Sequence, residues 1–228
     1  MTSINSSRVK DIAIQLGAEK CGIADVRRFA DAPAGFHPRD IYPKTESVIV
    51  FLKSMPAEII TCPNPVPYTG AAFLIYSEID RIGLALARRL GEHRIGAVPV
   101  PCDTPYLSWD AGACRGQGIL SMRHSAWLAG LGYLGKNTLL INRELGNMVY
   151  IGAVLADQPF EPDPVIADEC PEDCRICIAA CPQSALTGKT VIQSLCREVS
   201  IFTTERGFAI YNCSRCRQSC PRRVGYRE

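Results

Sequence analysis

Residues 7–18 place apolar side chains at helical intervals and run into Cys21-Gly-Ile-Ala-Asp25, a short strand-like segment. Thr45–Lys53 carries a short β-branched apolar run, the pattern of a buried strand. The proline-rich stretch 55–70 reads as a loop. From Ala71 to Leu90 the apolar positions recur with helical period, and Gly91 marks the stop. Ile95–Val100 predicts another strand, followed by a long loop rich in glycine and proline to about Gly118. A helix over 119–129 leads into the glycine turn of 130–135, and strands over 138–142 and 148–155 close the first unit. Helices and strands mix without a βαβ rhythm, which predicts an α+β core rather than a doubly wound sheet. Three prolines within 157–168 mark a boundary. The expected organisation is a mixed α/β cofactor-binding domain over 1–160 and a small second domain over 161–228.

At 228 residues, 47% hydrophobic and 21% charged, the chain can build one sizeable core plus a small module. No apolar run approaches the roughly 20 residues a membrane helix needs, so no membrane partner is expected. The net charge of +2 is concentrated at the end, where Arg215, Arg217, Arg222, Arg223 and Arg227 face only Glu228. Such a tail would meet an acidic electron donor or RNA phosphates, or would simply offset negative charge nearby. It lacks the interleaved aromatic residues of a single-strand binder, so nucleic acid is the weaker reading.

Cysteine changes the picture most. The last 59 residues hold eight of the twelve cysteines: Cys170, Cys174, Cys177 and Cys181-Pro182, then Cys196, then Cys213, Cys216 and Cys220-Pro221. Bacterial two-cluster ferredoxins use three closely spaced cysteines for one cluster and send the fourth, just before proline, to the other. Applied here, Cys170, Cys174, Cys177 and Cys220 hold one 4Fe–4S cluster, and Cys181, Cys196, Cys213 and Cys216 the other. Two spacings depart from the usual: Cys170–Cys174 is Cys-x3-Cys, and Cys196 lies 17 residues before Cys213. A disulfide framework belongs to small secreted chains, and no signal-peptide pattern is present. Zinc explains paired Cys-x-x-Cys but does not require the Cys-Pro ends. The second domain is therefore expected to be a two-cluster, ferredoxin-like unit that folds around its metal. Clustered thiolates imply a reducing, low-oxygen cytoplasm.

Gly130-Leu-Gly132-Tyr-Leu-Gly135-Lys136-Asn137 nearly satisfies two nucleotide motifs. Both need a strand before and a helix after, whereas here a helix precedes and a strand follows. A phosphate loop is therefore excluded. Gly130, Gly132 and Gly135 would allow close backbone approach to a cofactor, with Lys136 and Asn137 reaching its polar groups, or they form a structural turn.

This turn, together with Tyr150–Asp157, Cys21–Ala24 and both cysteine halves, resembles the epoxyqueuosine reductase family and the related reductive dehalogenases. The resemblance implies a base-off cobalamin in the first domain and two 4Fe–4S clusters beside it. Electrons would come from a low-potential donor such as ferredoxin or flavodoxin and pass through the clusters to cobalt, which reduces an organic substrate. Epoxyqueuosine reductases carry an Asp-x-x-Pro stretch shortly before the glycine turn and helical repeats at the end. Gly116-Gln-Gly-Ile119 stands here instead, and the sequence stops at Glu228. The expected substrate is accordingly not epoxyqueuosine.

A reductive site needs a proton source. Tyr76, near a family tyrosine at the cobalamin face, is the catalytic candidate, with Tyr106 and Asp110 as further offers. His124 reads as a packed residue, and Cys21, Cys62, Cys102 and Cys114 as ordinary thiols. Flavin is the alternative cofactor. The alternative function is an electron carrier or activator that docks on a corrinoid protein without substrate chemistry of its own.

Overall fold

The computed structural model describes residues 4–105, 108–112 and 115–226; the candidates Tyr106 and Cys114, and Arg227 of the basic tail, lie outside them. In chain order the first part comprises α1 (Ser6–Gln15), β1 (Lys20–Asp25), α2 (Pro38–Ile41), β2 (Ser47–Ser54), α3 (Pro65–Glu92), β3 (Ala97–Val100), the hairpin β4 (Ser108–Asp110) and β5 (Arg115–Gln117), α4 (Met122–Leu128), β6 (Tyr133–Leu134), β7 (Leu140–Ile141) and β8 (Val149–Ala156). The cysteine-rich part adds α5 (Ile176–Ala179), α6 (Gln193–Ser200), the hairpin β9 (Ile201–Thr203) and β10 (Ala209–Tyr211), and α7 (Arg215–Gln218).

The main sheet has the order β1-β2-β8-β3 and is antiparallel throughout. Period-two alternation sends its side chains to two cores. Ile23, Ile49, Phe51 and Val154 pack with α1 and α3 on one face; Ala24, Val48, Val50, Leu52 and Leu155 pack with α4 on the other. The absence of β-α-β rhythm thus has the meaning expected of it, a mixed α/β fold without parallel pairs. Gly152 lies where α3 crosses β8. A methyl there would strike the Phe51 ring and come within 2.6 Å of Ile79. Gly152→Ala is expected to cost about 1–3 kcal/mol by overpacking, which thermal melting would show as a drop of a few degrees or more.

The loop expected over 55–70 is a correction. Ala57–Thr61 forms a 3-10 turn, and α3 begins at Pro65, two turns before the apolar period becomes legible. Proline is tolerated in a first turn, where its missing N–H would be unpartnered anyway. The Asn64 side chain accepts from the Val66 N–H and fixes the start. The long loop to Gly118 contains the β4–β5 hairpin, and the strand over 138–142 shrinks to Leu140–Ile141.

The segment 157–168 is extended and tied down. Asp163 accepts from Lys10 Nζ at 2.7 Å and from the Ile23 N–H at 2.9 Å, while its carbonyl accepts from Arg28. Beyond it, buried apolar side chains are few: Ala185 and Leu186, with Cys177 and Cys220. The β10 end docks on α3, the Tyr211 N–H donating to Thr69 Oγ1 at 3.0 Å. Among the described residues no helix is long and apolar enough to cross a membrane.

Candidate functional site

The glycine turn joins the two parts of the chain. Gly132 has φ +155, and a side chain there would run into the Ile141 backbone. Gly130 closes in the same way on Pro164, and Gly135 on Ile141 and Asn137. Lys136 Nζ donates to the carbonyls of Pro171, Glu172 and Cys174, and Asn137 Nδ2 donates to the carbonyl of Cys216 at 3.2 Å. An ammonium has three protons, and these three carbonyls use them. Of the five residues expected to hold a cofactor, Lys136 and Asn137 bond the two cysteine loops, and the three glycines pack against Pro164, Ile141 and Asn137.

The eight distal thiols gather into two foursomes. Burial pushes Cys177 up, followed by the charges of Cys220, Cys170 and Cys174. Burial also raises Cys220, which feels Cys170 and Cys174. Burial raises Cys196, beside Cys213 and Cys181. Cys216, pushed up to about 11 by burial first, feels Cys196 and Cys213, and Cys177 across the seam. Cys170, Cys174 and Cys220 border a cavity of about 300 Å³ with Tyr133 and Ile141. Among the described residues no three His, Cys, Asp or Glu side chains could hold a single metal ion. A four-iron cube is wider, with one thiolate at each of its four metal corners, and thiols raised by burial and mutual repulsion are those whose ionised form needs metal. Donor set and grouping fit two such clusters.

A larger cavity, about 600 Å³, opens between the sheet and the cysteine-rich helices. Tyr76, Asp103, Arg123, Asn147 and Tyr150 come from the first part, and Gln193, Arg197 and Arg217 from α6 and α7. Buried polar atoms are nearly always hydrogen-bonded. Yet Asn147 Oδ1, Gln193 Oε1 and Arg217 Nη1 are buried without a partner, and all three residues line this cavity. Such a wall is built for a ligand rich in polar groups. Gly116 and Gly118, in the stretch that lacks the aspartate, also border it.

Tyr76 does reach this cavity, and its ring meets Tyr150 edge-on at 5.3 Å. Burial, then the nearby Tyr211 and Asp103, push its hydroxyl far above the ordinary tyrosine range. Burial raises Tyr150 and Cys102 as well. Asp103, unremarked in the sequence, is the one carboxyl lining the cavity among the described residues. Burial raises its pKa, Arg197 opposes this, and Asp80 adds to it. The only signal that could have found it was its place beside Cys102 at the end of β3. Asp110 is exposed on β4 and does not line the cavity. His124 bonds Ser121 Oγ through Nδ1 at 2.6 Å in an adjoining cavity of about 430 Å³ that shares Ser121 and Arg123 with the larger one, and partial burial, then the charge of Arg123, lowers its pKa. Two arginines of the basic tail are engaged: Arg217 lies over the Tyr150 ring at 5.4 Å and Arg222 over Tyr226 at 3.7 Å.

The fold is an antiparallel α/β unit whose glycine turn grips a cysteine-rich module, and comparison with known proteins shows what it resembles. No protein-family model matches the chain. It is 39% identical to the epoxyqueuosine reductase of Staphylococcus aureus over 119 residues, 47% of this chain and 31% of the relative. The match to that of Vibrio cholerae is 26% identical and covers 95% of this chain and 66% of the relative. Epoxyqueuosine reductase from Streptococcus thermophilus superimposes with a TM-score of 0.67 at 20% identity, over 96% of this chain and 66% of that one. A reductive dehalogenase associated with B12-dependent dehalogenation gives 0.70 at 18% identity, over 94% and 31%. These findings support an epoxyqueuosine reductase-like family for this chain. The chain spans from about a third to two thirds of the length of these proteins.

Proposed function

We propose that this chain is an iron–sulfur reductase that delivers single electrons through two 4Fe–4S clusters to a corrinoid in the 600 Å³ cavity. The observation that carries the reading is the composition of the cavity wall. Cys196 and Cys216 sit on α6 and α7, the same two short helices that contribute Gln193, Arg197 and Arg217 to the cavity. Electron entry and ligand chamber are therefore a helical turn apart. The unpartnered Asn147 and Gln193 carbonyl oxygens suit the many peripheral amides of a corrinoid.

When bound, a corrinoid supplies the low-potential metal centre that converts one-electron delivery into reduction of an organic substrate. The chain's own residues do the rest. Asn147 and Gln193 orient the cofactor through its amides. Asp103 holds a proton at its carboxyl beside the chamber, the function for which Tyr76 is too weak an acid. The organic substrate is other than epoxyqueuosine, since Gly116 stands where those enzymes carry their aspartate. A low-potential, acidic one-electron donor such as ferredoxin or flavodoxin docks near the clusters. The dedicated carrier reading has no use for a chamber with unpartnered polar walls.

Anaerobic purification tests the reading: about eight irons per chain are expected, with a corrinoid spectrum that appears on adding cobalamin. Iron with no corrinoid uptake, or with a flavin spectrum instead, would overturn the cofactor assignment. Asp103 gives a second test. Its acid form is the active one and its pKa is raised, so turnover should fall as pH rises through that raised value. Asp103→Asn should lower turnover about 100- to 10,000-fold and remove that limb of the pH profile, with melting unchanged. A limb that persists in the variant assigns the proton elsewhere.

A further inference from the structure

The chamber wall is unbalanced in charge. Arg123, Arg197 and Arg217 line it against a single described carboxyl, Asp103. Asp103 faces Arg197, which also stacks over Trp109 at 5.0 Å. None of the ion pairs among the described residues involves Arg123 or Arg217. Arg123 donates from Nη1 to the Thr138 carbonyl at 3.2 Å, and Arg217 Nη1 is buried with no acceptor at all. Arg123 is half-buried, and that burial lowers its pKa with no ion-pair partner among the described residues to oppose it. Buried charges are normally paired, because leaving water is costly otherwise. Arg217 follows Cys216, so the negative charge of a cluster there would answer part of its need. Arg123 adjoins no thiol, and it decides the matter.

We infer that the chamber receives an anionic group, a phosphodiester or a carboxylate, bound by Arg123 together with Arg217, which lines the same chamber. The inference rests on the reading of this cavity as the ligand chamber. Two sources fit the chemistry: the phosphodiester in the nucleotide tail of a complete corrinoid, or an acidic group on the substrate itself. Guanidinium binds either through paired N–H groups.

The test uses iron–sulfur-loaded protein and Arg123→Gln, with Arg123→Lys to restore the charge and iron content with melting as controls of folding. Three probes are titrated: cyanocobalamin, dicyanocobinamide (which lacks the nucleotide tail) and inorganic phosphate, the last by the shift in melting temperature. If the cofactor is the source, Arg123→Gln weakens cyanocobalamin about 10- to 100-fold and leaves dicyanocobinamide unchanged. If the substrate is the source, both corrinoids bind as before, while the melting shift produced by phosphate disappears in the Gln variant and returns in the Lys variant. A wild-type protein that ignores phosphate, with a Gln variant that binds cyanocobalamin normally, overturns the inference. Because phosphate is measured without corrinoid, an anion site survives even where the corrinoid reading fails.

Discussion

Replacing Cys177 and Cys220 together with alanine is expected to leave about half of the iron in place, whereas replacing Cys177 and Cys216 should remove nearly all of it. The first pair belongs to one foursome of thiols and the second pair is divided between two, although Cys177 and Cys216 are electrostatic neighbours. In an uncrossed arrangement, with each local run of cysteines serving its own cluster, both double variants would lose nearly all of the iron, so the Cys177/Cys220 variant is the one that discriminates. Cys177 would then pair with Cys181, and Cys216 with Cys220. Iron analysis and low-temperature electron paramagnetic resonance on the two double variants read the pairing directly. The structural effect should be as large as the chemical one. Past residue 169 the buried apolar side chains besides the cysteines are Ala185 and Leu186, too little to offset the entropy of ordering this stretch. Metal binding is therefore expected to supply its folding energy. A chelator that strips the iron should abolish the near-ultraviolet circular dichroism of the module and leave the sheet's thermal transition in place. A module that stays folded without iron contradicts this.

What the sequence made legible follows from how local each signal is. β2 and β8 were readable because a strand buried on both faces is a short β-branched run, and both faces are indeed covered. The cysteine motif was legible because its spacings and both Cys-Pro ends lie within one short stretch of chain. The start of α3 was not, since proline in a first turn looks the same as proline in a loop until the Asn64 cap is seen. The chamber was the least legible part. Asp103, Arg123, Asn147, Gln193 and Arg217 come from five separated segments and carry no shared spacing. Only the antiparallel sheet and the docking of α6 and α7 bring them together. Tyr76 was found through a resemblance to a family, and it does line the chamber, yet its surroundings push its hydroxyl away from proton release.

The glycine turn shows how one motif supports two readings, and Lys136→Met separates them. If the ammonium served a cofactor phosphate, removing it would weaken ligand binding and leave the clusters alone. The geometry gives the opposite expectation. All three of its protons go to carbonyls of Pro171, Glu172 and Cys174, within the expanded Cys-x3-Cys loop that spacing alone makes the least secure. Hydrogen bonds from a charged donor contribute about 1.5–3 kcal/mol each, and partial exposure of Lys136 brings the net loss toward about 2–3 kcal/mol in all. That loss falls on one loop, because Asn137 continues to hold the Cys216 carbonyl. Lys136→Met should therefore release the iron bound by Cys170 and Cys174 to a chelator about 30- to 150-fold faster than wild type, if the whole loss appears in the opening of that loop. The other half of the iron should leave at the original rate. Two kinetic phases of equal amplitude, one accelerated, would confirm the turn as the clamp on the cluster loop; unchanged release together with weakened cofactor binding would give Lys136 to the cofactor instead.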